Sequence, residues 1–322
     1  MMTSHSREIL KNVSRSFYLS IRLLPAAMRE PVSLGYLLAR ISDTLADTAN
    51  LPADIRLQSL CDFRKILHGA DATPWLERVK SEIIPHQTHT GERALLENIQ
   101  PILDWLHSLS ERDATGASPY ESITMEAQQH AAILTVMGHI LRGQQLDIER
   151  FELQENFQLT LDSELEEYCY LVAGCVGEFW TEIGFVSLGD FSSVAPARLK
   201  QWGANYGKAL QLINIIRDLP KDIAGAEACP RCYLPNVDTN DRDALMAEAA
   251  RWRARARSYL ENGVQYTETL TSRRTRIATA LPGLIGSGTL DLLDQADWQA
   301  WSNGVKVPRS EVYHCVWQAM FA

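Results

Sequence analysis

The chain has 322 residues, 46% of them hydrophobic, enough for a sizeable core in one large domain or two ordinary ones. Its 40 acidic against 31 basic residues leave a formal charge of -9, which argues against nucleic acid, whose binding needs a basic surface to displace counterions. Six scattered cysteines exclude a disulfide framework, and no secretory leader is apparent in MMTSHSREILKNVSRSF, so the expected compartment is the reducing cytoplasm.

Apolar residues recur at spacings of three and four nearly throughout, broken at Pro, Gly and Asn, while strand-like alternation is scarce; the expected fold is all-α. The first element of interest, Ser14-Arg15-Ser16-Phe17, offers donors suited to phosphate oxygens, although Ser-Arg-Ser is also common at helix starts. Helices are predicted over 31–48 and 54–69. In the first of them Tyr36, Arg40, Asp43 and Asp47, spaced by four, three and four, share one face and bring two carboxylates together. Helices follow over 92–109 and 121–149. Neither His86 with His89 nor Cys229 with Cys232 has the second ligand pair of a zinc site.

Over 162–184, Tyr168, Val172, Val176 and Phe179 share a face, and Ala173, Gly174 and Gly177 keep its neighbour small. The glycines read as tight helix packing, and a phenol heading an apolar stripe is suited to steering a proton or stabilising a cation. The helix over 194–223 carries a second aspartate pair, in the series Gly207, Gln211, Asn214, Asp218 and Asp222. Helices over 240–268 and 272–294 contain the basic runs RWRARAR (251–257) and RRTR (273–276), which read as solvated faces or as contacts for nucleotide phosphates or an anionic membrane. No linker, low-complexity tract or fixed-period repeat divides the chain, so a single domain over 1–322 is expected. The apolar stretches ILTVMGHIL and YCYLVAGCVGEFW fall short of the roughly 18–20 residues of a bilayer crossing, which implies a soluble chain with at most peripheral membrane contact. No obligate protein partner is indicated.

An isolated Asp-x-x-x-Asp is commonly a solvated surface feature. Here both pairs continue a stripe of Tyr, Arg, Gln and Asn on helices otherwise made of Leu, Ile and Ala, whereas a solvent face more often carries Lys and Glu. Two such faces are suited to meet across a cavity, where four carboxylates would repel one another without cations between them. Magnesium prefers carboxylate oxygens, keeps several waters and bridges protein to phosphate, so the pattern points to a diphosphate ligand.

In this order SRSF, YLLARISDTLAD, YCYLVAGCVG, LQLINIIRDLPKD and RCYLP resemble the squalene/phytoene synthase family over about residues 12–236. The resemblance implies an isoprenoid-synthase fold in which two aspartate-rich helices bind a prenyl diphosphate through Mg2+. By that likeness Asp43 and Asp47 form the first aspartate motif and Asp218 and Asp222 the second, all four as metal ligands. Tyr168 falls on the catalytic tyrosine, and Ser14, Arg15 and Ser16, with Phe17 completing the element, on diphosphate contacts. Tyr36 and Arg40 precede the first motif, Gln211 and Asn214 the second, Arg231 is the basic residue before the aromatic-proline stretch, and Val172 lies on the Tyr168 face. Ala46 stands where many relatives carry an acid, and Pro220 falls between Asp218 and Asp222, where it can tighten or kink the helix end.

SRSFYLSIRLLP, ARISDTLAD and ATALPGLIGSGTLDLL look closer to squalene synthases, RCYLP to phytoene synthases, and the absence of a C-terminal anchor matches bacterial members. The resemblance therefore implies joining of two farnesyl diphosphates through presqualene diphosphate to squalene, with NADPH as reductant. The alternatives are phytoene synthesis from geranylgeranyl diphosphate, arrest at presqualene diphosphate or hydroxysqualene, and a catalytically silent scaffold of the same fold. No G-x-G-x-x-G follows a predicted strand, so NADPH rests on the likeness alone.

Overall fold

The computed structural model describes residues 4–14, 17–48, 51–114, 124–225, 230–308, 310–312, 314–315 and 317, among which every regular element is helical and one isolated bridge pairs Ser192 with Leu270. Arg15, Ser16 and Cys229 lie outside the described residues. The chain divides into two compact units, residues 1–148 with 182–189 and residues 149–181 with 190–322.

The first unit is organised around helix α3 (Ala26–Asp47), preceded by α1 (Ser4–Val13) and α2 (Phe17–Leu23) and followed by α4 (Ala53–Leu67), α5 (Thr73–Arg78), α6 (Thr90–Glu97) and α7 (Ile99–Ala114). Helix α8 (Met125–Phe151) contributes all but its last three residues to this unit. Along α3, Met28, Val32, Leu34, Leu37, Leu38, Ile41 and Leu45 are buried, which fixes the rotation of the helix about its axis. Its C-terminal carbonyls, left without intrahelical partners, are met by side chains. Thr48 Oγ1 donates to the Thr44 carbonyl at 2.6 Å, and the buried Arg56 donates from Nη1 to the Ala46 carbonyl at 2.7 Å. A cation there also opposes the negative end of the helix dipole, which holds the segment carrying Asp43 and Asp47 to its last turn.

The second unit is built on α11 (Pro196–Ile223), packed by α12 (Arg242–Glu268), α13 (Arg273–Gln295) and α14 (Trp298–Ser302), with Leu212, Ile216, Leu245, Trp252, Leu290 and Trp301 in its core. Helix α9 (Asp162–Cys169) continues through a π-helical turn, Tyr170–Gly174, into α10 (Cys175–Leu188), so the stretch predicted as one regular helix is interrupted. The packing of this segment on α11 is close. A Cβ at Gly177 would stand 1.9 Å from the Gly203 carbonyl oxygen, and one at Gly207 would stand 2.2 Å from that of Ala173. Backbone therefore touches backbone, and only glycine fits at these positions. One stretch of the described residues, 162–188, is long and apolar enough by composition to cross a membrane, yet its small-residue face is occupied by α11.

Predicted and observed helices agree in the main, with α6 and α7 split at Asn98 and α3 beginning five residues before Pro31. Pro31 stands in the second turn, past the four N–H groups that lack helical partners in any case, and α3 runs through it. The short α1, α2, α5 and α14 are additions to the predicted set. Gly207→Ala should lower unfolding free energy by about 1–3 kcal/mol, the usual range for overpacking, as read by chemical denaturation; wild-type stability would contradict the close approach.

Candidate active site

In the first unit the stripe Tyr36, Arg40, Asp43, Asp47 is the accessible side of α3, while Leu37, Leu38, Ile41, Ser42, Thr44, Leu45 and Ala46 between its members are buried. Tyr36 ties the N-terminal segment to this face. Its hydroxyl donates to the Val13 carbonyl at 3.2 Å and its ring stacks on Phe17 at 5.5 Å. Ser14, expected as a phosphate contact, is buried and its hydroxyl donates to the Leu10 carbonyl, closing α1 rather than facing outward. Phe17 thus reaches the stripe as its support.

Arg40 stands between two acids, ion-paired to Glu92 in the first turn of α6 and 3.6 Å from Asp43 Oδ2. The other oxygen, Asp43 Oδ1, accepts a 2.6 Å hydrogen bond from Gln144 Nε2 on α8. Desolvation by surrounding protein pushes the Asp43 carboxyl above its ordinary pKa range, with Arg40 and Gln144 acting in the opposite direction. Asp43 nevertheless keeps 42% of its side chain accessible, so it is hemmed in but reachable. His89, considered for zinc, serves as N-cap of α6, its Nδ1 accepting from the Glu92 N–H at 3.3 Å.

In the second unit Gln211, Asn214, Asp218 and Asp222 form an accessible stripe on α11, separated by the buried Leu212, Ile213, Ile215, Ile216 and Leu219. Arg217, adjacent in sequence, embraces Asp218 in a two-pronged ion pair, Nε to Oδ1 at 2.9 Å and Nη2 to Oδ2 at 2.5 Å. Pro220 neither ends nor breaks α11, which runs on to Ile223. Lacking an N–H, it leaves the Ile216 carbonyl four residues earlier without its helical donor. Trp301 supplies one: its buried indole Nε1 donates to the Ile216 carbonyl at 2.9 Å and lies 3.1 Å from that of Arg217. The segment bearing Asp218 and Asp222 is therefore braced from α14.

Tyr168 lies on α9, just before the π-helical turn, an irregularity often found at functional positions. Its ring stacks on Tyr233 at 4.9 Å with the two hydroxyls 3.5 Å apart. Arg231, two residues before Tyr233, donates from its backbone N–H to the Asp222 carbonyl at 2.9 Å and from its guanidinium to Glu152 at 2.8 Å, so the loop is moored beside the second pair. Val172 falls in the π-helical turn, half-buried. A groove of about 1010 Å3 opens nearby, its lining mixing Phe151, Phe157 and Ile223 with Glu152, Arg231 and Asp238.

Glu166 joins α9 to α11 and α12, accepting from Lys208 Nζ at 2.7 Å, Tyr259 at 2.7 Å and Arg255 at 3.1 Å. The whole RWRARAR run is bound in this manner: Arg251 to Asp162 and Glu248, Arg253 to Asp294, Arg255 to Glu166, and Arg257 to Asp291 and Asp294. It is an internal clasp. Gln144, Glu92, Arg217, Tyr233 and Trp301 escape the sequence reading because each reaches its partner from another element or from off the periodic stripe.

The helical architecture, together with its resemblance to solved structures, is that of the isoprenoid-synthase class. The chain superposes on TcSQS solved with the ligand E5700 at a TM-score of 0.75, 23% identical, covering 98% of this chain and 85% of that one. For a dehydrosqualene synthase solved with ligand the TM-score is 0.60 at 20% identity, covering 98% and 94%. The family model for squalene/phytoene synthase matches residues 10–311, so the chain belongs to that family. The squalene synthase of Saccharomyces cerevisiae is 28% identical over 219 residues, 68% of this chain and 43% of that protein, so this chain spans less than half of its length.

Trp301→Phe keeps the ring and removes the donor; it should cost about 1–3 kcal/mol, the penalty of an orphaned buried carbonyl, seen as a lower thermal midpoint, and an unchanged midpoint would remove Trp301 as the brace of α11. Burial alone would raise the Glu166 pKa, but hydrogen bonds from Lys208, Tyr259 and Arg255 outweigh it and hold the carboxyl below its ordinary value of 4.5. A depressed carboxylate stabilises the fold above the unfolded pKa and loses that contribution as pH falls through the folded one. The stability gap between wild type and Glu166→Gln should therefore be about 1–3 kcal/mol near neutrality and shrink on acidification below 4.5; a gap that stays constant would contradict the network.

Proposed function

We propose that this protein is a prenyltransferase that joins two farnesyl diphosphates head to head, through presqualene diphosphate, to squalene. The observation that carries the reading is that each unit presents an accessible aspartate pair on an otherwise buried helix, Asp43 with Asp47 and Asp218 with Asp222, each pair reached by an arginine. Among the described residues no third acid, His or Cys joins either pair to make a larger metal cluster. Two carboxylates suit Mg2+, which completes its shell with water and substrate phosphate rather than with an all-protein cage. Each pair, Asp43 with Asp47 and Asp218 with Asp222, would hold one such ion. When bound, Mg2+ supplies Lewis-acid stabilisation of charge on the departing diphosphate.

The chain's own residues then have separate tasks. Arg40 and Arg217, already paired with the aspartates, supply positive charge where a leaving group gathers negative charge. Arg231, held through its backbone N–H on the Asp222 carbonyl and through its guanidinium on Glu152, is the further basic residue that the resemblance assigns to the substrate. In the first half-reaction one allylic diphosphate leaves, a carbon–carbon bond forms to the second farnesyl chain, and closure of the cyclopropane releases one proton. Tyr168 is the group proposed to guide that proton to the released diphosphate, which takes it up, with Tyr233 stacked against Tyr168 to fix its ring. The second half-reaction loses the remaining diphosphate and takes up a hydride. NADPH is the donor that the resemblance implies. A reducing cytoplasmic location fits the free cysteines Cys61, Cys169, Cys175, Cys232 and Cys315.

Purified protein incubated with Mg2+ and farnesyl diphosphate should release diphosphate and form presqualene diphosphate, converting it to squalene only when NADPH is added. Phytoene from geranylgeranyl diphosphate without reductant would replace the substrate assignment, and no turnover of either substrate would overturn the enzymatic reading. Tyr168→Phe should lose at least about 100-fold in the first half-reaction, the lower range for a positioned acid–base group, with its circular dichroism unchanged. Near-normal turnover of that variant would remove Tyr168 from the chemistry.

A further inference from the structure

The proposed function assigns Asp43 a cation but does not explain what fixes its carboxylate. On α3 itself the nearest charge is Arg40, 3.6 Å from Oδ2, too long for a close hydrogen bond. The short contact comes from a residue 101 positions further along the chain: Gln144 Nε2 donates to Oδ1 at 2.6 Å. Gln144 is only 9% exposed, and its amide oxygen Oε1 is buried with no hydrogen-bond partner among the described residues. A buried polar atom of this kind is costly unless something donates to it. The rotation of α8 that delivers the amide is held by its neighbours. Gln145 Nε2 donates to Cys61 Sγ on α4 at 3.4 Å, and Gln129 Nε2 donates to Ser187 Oγ at 3.0 Å.

We propose that Gln144 is a positioning residue for Asp43, engaging Oδ1 so that Oδ2 is the oxygen left for a divalent cation, with its own Oε1 an acceptor for a water in that cation's shell. This rests on reading the α3 aspartates as a cation site. Only two carboxylates are on offer there, so the orientation of each weighs heavily in affinity, as partners behind metal ligands generally do. Gln144 does not touch substrate in this account and moves no proton.

The test is Mn2+ binding in the presence of inorganic pyrophosphate, followed as free Mn2+ by electron paramagnetic resonance on the full chain. Gln144→Met, close in volume and without donor or acceptor, should weaken Mn2+ binding by about 10–100-fold, the range seen when residues behind metal ligands are removed. Gln144→Asn, which keeps the amide but withdraws it by one methylene, should weaken it in the same direction and stands in if the methionine variant does not fold. Circular dichroism in metal-free buffer reports the fold of each. A purely structural glutamine would lower the unfolding midpoint and leave Mn2+ affinity at the wild-type value, which overturns the inference. Asp43→Asn separates the two levels of the argument. If it loses Mn2+ binding while the Gln144 variants keep it, only the positioning role fails; if it binds Mn2+ like wild type, the cation reading of α3 fails with it.

Discussion

Holding two carboxylates on one helix face is the constraint to which the rest of the structure answers. Like charges four residues apart repel, and desolvation already lifts the Asp43 pKa. Each unit answers with a cation at short range and an apolar helix behind it. On α3 Arg40 stands between Asp43 and Glu92; on α11 Arg217 grips both oxygens of Asp218. An arginine whose fork is already ordered toward a carboxylate is also ordered for a phosphate oxygen, so compensation of the carboxylates and recognition of an anion draw on the same groups.

The framework around each pair keeps the helix termini in place. Carbonyls at the end of α3 are met by Thr48 and Arg56, and the carbonyl exposed by Pro220 is met by the Trp301 indole. These are backbone groups satisfied by side chains from elsewhere in the same unit, and they convert weak points of the helix into anchored ones. In the second unit the approach of Gly203 and Gly207 to α10 and the π-helical turn brings α9, with Tyr168, down onto the helix that carries the aspartates. The glutamate network at Glu166 and the arginine clasp of α12 then lock that arrangement from the far side of α9.

The stripes were legible because both periodicity and composition act locally: Asp43, Asp47, Asp218 and Asp222 lie where a 3.6-residue repeat puts them, and the Leu and Ile between them are buried. The all-α class followed from the same repeat. What stayed hidden depends on contacts distant in sequence. Gln144 meets Asp43 across 101 residues, Trp301 meets Ile216 across 85, and nothing in either local pattern marks the pairing. Arg217 was hidden for a different reason, since a residue next to Asp218 falls off the helical stripe although its long side chain can curl back to it. Ser14 shows the converse. Its motif suggested a donor for phosphate, but in the fold its hydroxyl turns inward to close α1.

The central claim is that the aspartate pairs of α3 and α11 each hold a divalent cation that carries pyrophosphate. The most direct measurement is anomalous diffraction from crystals soaked with Mn2+ and inorganic pyrophosphate. The account predicts Mn2+ peaks at Asp43 with Asp47 and at Asp218 with Asp222, each bonded to a pyrophosphate oxygen. Mn2+ at neither pair, or at only one of them, would contradict it.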